Sequence, residues 1–278
     1  MKKILIAGGS RGIGKTIATA FLKNGDKVFL VARNAAELEG AEKELSSLGE
    51  VRTVTADVSK EDDVAKVAAA IDSAWGGVDV LVNAAGIYGP IGSVTEVDPA
   101  KWRQAIDVNL IGTFLMIRAI APLMKKQKSG TIINFAGGGE GAFSNFTAYV
   151  SSKGGVVRLN ETVAAELKEF NIDVNAISPG PVNTKFLEEL LQAGPEKVGK
   201  EMYERSLKQK ETGGVPPERA AELCVFLASD EAKGISGKVI SAVWDVYTKF
   251  PKHLKEIMSS DIYTFRRIKP EDRGMKFD

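Results

Sequence analysis

Short apolar runs alternate with longer amphipathic stretches along most of the chain. Residues 4–7, Ile4-Leu5-Ile6-Ala7, form an apolar run that stops at a glycine, as a buried strand does. Further strand-like runs fall at 28–32, 51–55, 78–82, 131–135 and 172–177. Helical patterns lie between them at 15–23, 36–48, 62–75, 102–124 and 154–167. Strands that keep alternating with helices predict an α/β fold, a doubly wound parallel sheet of Rossmann-like type in a single domain. Its ligand crevice is expected at the strand ends.

The stretch between the first strand and the first helix reads Gly8-Gly9-Ser10-Arg11-Gly12-Ile13-Gly14. A strand, a glycine-rich turn and a helix start make a phosphate cradle. The glycines let the backbone come close, and the helix end supplies free N–H groups and a positive dipole end. The spacing is G-x-x-x-G-x-G rather than the G-x-G-x-x-G fingerprint. At the end of the second strand an acid would bind the 2′-hydroxyl of NAD. Here Ala32-Arg33-Asn34 stands instead. Arg33, with Arg11 as a second clamp, suits a 2′-phosphate, so NADP (NADPH) is expected in preference to NAD.

Tyr149 and Lys153 open the helical run at 154–167. Residues four apart share a helix face. An ammonium beside a phenol favours the phenolate and pulls the tyrosine pKa down from about 10. A tyrosine so tuned can exchange a proton with an alcohol or carbonyl oxygen near neutral pH. Asn109 lies inside an apolar helical pattern, flanked by Val108, Leu110 and Ile111. It is expected to be buried with a specific partner.

Composition narrows the partners. The 278 residues carry a formal net charge of +1 and 44% hydrophobic residues, ordinary for a globular domain with a sizeable core. The balance argues against nucleic acid as the main partner. The single cysteine, Cys224, lies in an apolar run and reads as a buried small hydrophobe, and the single histidine is His253. A histidine/cysteine metal site needs more ligands than these, so no metal is expected. Met1-Lys2-Lys3 leads straight into a strand, which leaves no room for a signal-peptide core. No apolar run looks long enough to span a bilayer. The expected setting is cytoplasmic, without a membrane partner.

Together these residues resemble the classical short-chain dehydrogenase/reductase (SDR) family over nearly the whole chain. The glycine turn resembles T-G-x-x-x-G-x-G, with Ala7 in place of the threonine. Asp57-Val58 matches the segment that holds adenine. Asn83-Ala84-Ala85-Gly86 matches N-N-A-G, with Ala84 departing from the second asparagine. Asn109, Tyr149 and Lys153 match the catalytic set. Pro179-Gly180, Val182 and Thr184 match the segment beside the nicotinamide. The resemblance implies that Tyr149 is the acid/base and that Lys153 lowers its pKa and binds the nicotinamide ribose. It further implies that Asn109 holds a water linking Lys153 to solvent. A small-molecule substrate and a homo-oligomer, dimer or tetramer, are implied with it.

Two departures stand out. The family places a serine after the fifth strand to bind the substrate oxygen. Ala136 and Gly137 occupy that place, Gly137 aligning with the serine. Losing one such donor costs roughly two to three orders of magnitude in rate. Ser144 is the first candidate to replace it, ahead of Thr147 and a nest of N–H groups at Gly137–Gly139. The second departure is a C-terminal extension at 246–278, beyond a Rossmann-like domain at 1–245 whose substrate lid covers about 185–215. An extension after a glycine-rich segment resembles one subgroup of the family. The expected activity is an NADP-dependent oxidoreductase for a secondary alcohol or ketone: a sugar derivative, an acyl thioester or another small carbonyl. The alternative is a nucleotide-binding relative with little or no turnover, for want of the serine.

Overall fold

The strand residues divide by parity between two apolar layers. Ile4, Ile6, Val28, Leu30, Val80, Val82 and Ile133 join one buried cluster, whereas Leu5, Phe29, Val31, Leu81 and Ile132 join another. Side chains alternate across a strand, so both faces of the sheet are covered and the strands read as continuous apolar runs. The computed structural model describes residues 1–138 and 142–275.

The strands are β1 (Lys3–Ala7), β2 (Lys27–Ala32), β3 (Val51–Thr55), β4 (Val80–Asn83), β5 (Gly130–Phe135), β6 (Ile172–Ser178) and β7 (Val239–Ser241). They form one parallel sheet in the order β3-β2-β1-β4-β5-β6-β7. Ile4 is level with both Val28 and Val80, and Asn83 with Asn134. The order reverses between β1 and β4, which opens a crevice at their C-terminal ends. The doubly wound, single-domain expectation holds.

The helices are α1 (Gly12–Lys23), α2 (Ala35–Leu45), α3 (Glu61–Trp75), α4 (Pro99–Ile106), α5 (Gly112–Gln127), α6 (Thr147–Leu167), α7 (Lys185–Ala193), α8 (Pro195–Val198), α9 (Lys200–Thr212), α10 (Glu218–Leu227) and α11 (Leu254–Met258). Helices α1, α2 and α10 cover one face through Phe21, Leu38 and Leu223, with Cys224 fully buried among them. Helices α3, α5 and α6 cover the other through Ile71, Met116 and Leu167. Helix α2 stops at Leu45, short of the expected 48. The hydroxyls of Ser46 and Ser47 turn back to the Lys43 and Glu44 carbonyls, and Leu48 is left exposed.

Helices α4 and α5 are one rod, Pro99–Gln127, joined by a π-helical turn at Asp107–Ile111. It starts before the expected residue 102, because Asp98 caps the N–H groups of Ala100 and Lys101 and Pro99 fits the first turn. The rod corrects the expectation about membranes: it is long and apolar enough to cross a bilayer. Half of its most apolar stretch is nevertheless buried inside the protein, where Leu115, Met116, Ile120 and Met124 pack on the sheet. Its apolarity serves the core.

The C-terminal extension packs into the same core. Tyr247, Phe250 and Ile257 are buried within the cluster of α1 and α10. The Lys238 ammonium donates to the carbonyls of Ser260 and Ile262, at 3.0 and 2.9 Å. On the outer side of β7, Val239 N–H donates to Tyr263 O, and Ser241 N–H donates to the Asp245 carboxylate.

Candidate active site

The glycine turn is folded against the end of β4. Gly8 has φ +85°, and a Cβ there would lie 2.7 Å from the Ala85 nitrogen. A Cβ on Gly14 would lie 2.1 Å from Gly8 O, so only glycine lets α1 start this close to β1. Gly12 faces the Thr184 methyl across the crevice, 3.8 Å from where its Cβ would be. Gly180, at φ +81°, presses on Val243. The expected cofactor residues Gly8, Ser10, Arg11, Gly12, Ile13, Gly14, Asn83, Ala84, Gly86, Pro179, Gly180, Val182 and Thr184 thus follow neighbouring strand ends. Arg33, Asp57 and Val58 follow β2 and β3.

The two arginines are not free clamps. Arg11 pairs with Glu37 at 2.9 Å, and the same carboxylate accepts from Ser10 Oγ. Arg33 lies 3.9 Å from the Asp57 carboxylate, which also caps Ser59. Both guanidinium side chains stay about half exposed. Glu37 sits in the first turn of α2, where a negative charge suits the helix end.

Tyr149 and Lys153 lie on the first turns of α6. Burial lowers the Lys153 pKa to about 8. Its ammonium donates to Phe135 O at 2.9 Å and stands 5.9 Å from the centre of the Tyr149 ring. The Tyr149 phenol is pushed above the usual tyrosine range, by burial first and then by the neighbouring Tyr88. This corrects the expected downward shift: the lysine faces a backbone carbonyl, and loss of water outweighs its charge.

Asn109 is fully buried at the π-helical turn. Its Oδ1 accepts from Ile87 N–H, and its Nδ2 donates to Ile87 O and Ser152 Oγ, each at 2.9 Å. Ser152 Oγ donates in turn to Tyr149 O at 2.7 Å. The amide thus ties the π-helical turn to Ile87 and to α6. A second buried amide chain runs through the sheet. Asn83 Nδ2 donates to Asn134 Oδ1, and Asn134 Nδ2 donates to Asn160 Oδ1.

The missing serine is visible as backbone. Gly138 has φ +89°, and a Cβ on it would fall 2.8 Å from Tyr149 Cε1. The glycine segment therefore lies directly on the tyrosine ring. A Cβ on Gly137 would meet only Pro179, at 3.3 Å. Ser144 is exposed, and the Thr147 hydroxyl accepts from Trp102 Nε1. Gly139, the last member of the expected nest, lies outside the described residues.

An aromatic cage that sequence reasoning missed surrounds Tyr149. Tyr88 meets it edge-on at 4.9 Å between centroids, and Phe186 lies 6.1 Å from it. Tyr88 also contacts Phe186 and Phe146, and Phe146 stacks on Phe143. Leu190, Val198, Met202 and Tyr203 of α7–α9 pack on the same cluster, so these helices cover it. The only sequence signal for Tyr88 was its place two residues after Gly86 at the end of β4.

Comparisons with known proteins agree with this geometry. A family model described as enoyl-(acyl carrier protein) reductase matches residues 7–242. Dehydrogenase/reductase SDR family member 6 of Aquarana catesbeiana is 36% identical over 250 residues, spanning 88% of this chain and 98% of its own. The 3-oxoacyl-(acyl-carrier-protein) reductase FabG of Thermotoga maritima is 34% identical, over 86% of this chain and 95% of its own. Among solved structures, levodione reductase superposes with a TM-score of 0.80 at 28% identity, covering 90% of this chain and 98% of its own. NAD+-bound xylitol dehydrogenase gives 0.77 at 26%, over 86% and 96%. An actinorhodin polyketide ketoreductase variant with NADPH gives 0.80 at 28%, over 86% and 95%.

Proposed function

The chain belongs to the short-chain dehydrogenase/reductase family and is an oxidoreductase, and from that premise we propose that it moves a hydride between NADP and a secondary alcohol or ketone. The observation that carries the reading is the pair Tyr149 and Lys153, one helical turn apart where the glycine turn and the ends of β4, β5 and β6 converge. Relatives bind both nicotinamide cofactors, as the solved complexes with NAD+ and NADPH indicate. NADP is favoured here by Ala32, which leaves no acid at the end of β2, and by the loosely held guanidinium of Arg33.

The crevice suits such a cofactor. Gly8 and Gly14 let α1 start close against the ends of β1 and β4, and no side chain caps the α1 N-terminus. The turn from Gly8 to Gly14 would hold the diphosphate, and Asp57 and Val58 the adenine. Asn83, Ala84, Gly86, Pro179, Gly180, Val182 and Thr184 would line the nicotinamide end. A bound nicotinamide supplies or accepts the hydride. Tyr149 gives its proton to the substrate oxygen in reduction and takes one in oxidation. Lys153 has two N–H bonds beyond the one to Phe135 O. They would hold the nicotinamide ribose, with a charge that counters the burial of Tyr149. The sugar, thioester and small-ketone classes share this chemistry.

Gly137 favours a second reading, cofactor binding with little turnover. NADPH oxidation across a panel of ketones decides between them. Turnover that Tyr149→Phe abolishes, while NADPH binding survives, supports the enzyme. NADPH binding with no turnover of any ketone supports the second reading.

A further inference from the structure

The catalytic pocket lacks the family's serine, but it contains a second phenol. Tyr88 stands edge-on to Tyr149, 4.9 Å between ring centres at an interplanar angle of 71°. Among the described residues its hydroxyl makes no hydrogen bond, and neither does that of Tyr149. The Asn109 amide holds Ile87, the residue before Tyr88, by both backbone groups, and it reaches Tyr149 O through Ser152. One buried side chain therefore fixes the backbones that carry both phenols. Of the rival hydroxyls, Ser144 is exposed, and that of Thr147 accepts from Trp102 Nε1.

We infer that the hydroxyl of Tyr88 takes the part of the absent serine, donating a hydrogen bond to the substrate oxygen beside Tyr149. This rests on the oxidoreductase reading above. In reduction the carbonyl π bond breaks, and one C–H and one O–H bond form. The hydride comes from the reduced nicotinamide, the proton comes from Tyr149, and Tyr88 keeps its own. Tyr88 suits a donor that never ionises. Burial, with the Glu189 carboxylate of α7 adding to it, raises its pKa to about 12. It is protonated at neutral pH. The aromatic contacts with Phe146 and Phe186 hold the ring in place whether or not the hydroxyl is present.

The test uses the whole protein with NADPH and three probes: acetophenone, cyclohexanone and 1-phenylpropane-1,2-dione. Tyr88→Phe keeps the ring, and a thermal melt like that of the wild type checks its fold. Removing one donor to a developing oxyanion predicts a kcat lower by about a hundredfold, with NADPH affinity and KM close to wild type. The isotope effect from NADPH deuterated at C4 rises, because hydride transfer then limits turnover. A kcat within about threefold of wild type overturns the proposal while leaving the oxidoreductase reading intact. A loss carried by KM with an unchanged isotope effect assigns Tyr88 to packing and also overturns it. Wild-type protein that binds NADPH yet reduces none of the probes overturns both.

Discussion

Asn109 grips Ile87 by both backbone groups, its Oδ1 taking the N–H and its Nδ2 giving to the carbonyl, each at 2.9 Å. The grip spans from the rod's π-helical turn to the end of β4. Asn109→Ala frees Ile87 and Ser152 at once. The expected loss is about 1–3 kcal/mol of stability for buried partners left unpaired, read by urea unfolding. Activity should fall more than stability implies, because the backbones of Tyr88 and Tyr149 lose their common anchor. A variant with wild-type stability and wild-type turnover would contradict this reading of the amide.

The ion pair of Arg11 with Glu37 competes with any phosphate at the ribose. Glu37→Gln removes the competing charge and should tighten NADPH while leaving NADH nearly unchanged. Arg33→Ala should weaken NADPH by roughly tenfold or more and NADH little, as for loss of a charge-assisted bond. Fluorescence titration of each variant with both cofactors tests the pair. Equal loss for NADPH and NADH after Arg33→Ala would remove Arg33 from the site.

Lys153 makes stability depend on pH in a definite direction. Its folded pKa is about 8, against 10.5 ordinarily, so the unfolded chain holds more protons between these values. The native state therefore gains from this group as pH rises through that window, and it bears the full cost of a buried charge below about pH 8. Lys153→Met should melt above the wild type at pH 7, and the gap should narrow by pH 10. A gap that stays constant from pH 7 to 10 would show that this ammonium is not desolvated. Turnover is expected to be lost at every pH.

Cutting the chain after Asp245 removes Tyr247, Phe250 and Ile257 from the core shared with α1 and α10. Deleting even one large buried side chain costs about 3–5 kcal/mol, comparable to much of a domain's net stability. The truncated protein should be insoluble or melt far below the full chain in differential scanning fluorimetry. A soluble truncation with an unchanged melting temperature would mean that the extension only rests on the surface.

The strands were legible because burial on both faces turns each into an unbroken apolar run, with no need to know its neighbours. The glycine turn, Asn109, Tyr149 and Lys153 were legible for a similar reason: each carries its chemistry in local spacing. What escaped was set by contacts distant in sequence. Glu37 meets Arg11 across 26 positions, and nothing local marks it. Tyr88 reads as one more apolar residue until Tyr149 is placed beside it. The downward shift expected for Tyr149 considered the charge of Lys153 without the desolvation that burial imposes. The rod's membrane-like apolarity was underrated because polar Asp107 and Asn109 interrupt it, and the π-helical turn absorbs both.

β7 closes one side of the sheet, and its outward N–H groups have already been claimed by the chain that follows. Val239 donates to Tyr263 O and Ser241 to the Asp245 carboxylate. An open edge is a template on which a strand from another molecule can add. Here the template is occupied from within, and the two carbonyls gripped by Lys238 hold the occupying segment down. Stacking of copies strand to strand through β7 would first require peeling the extension from its lysine.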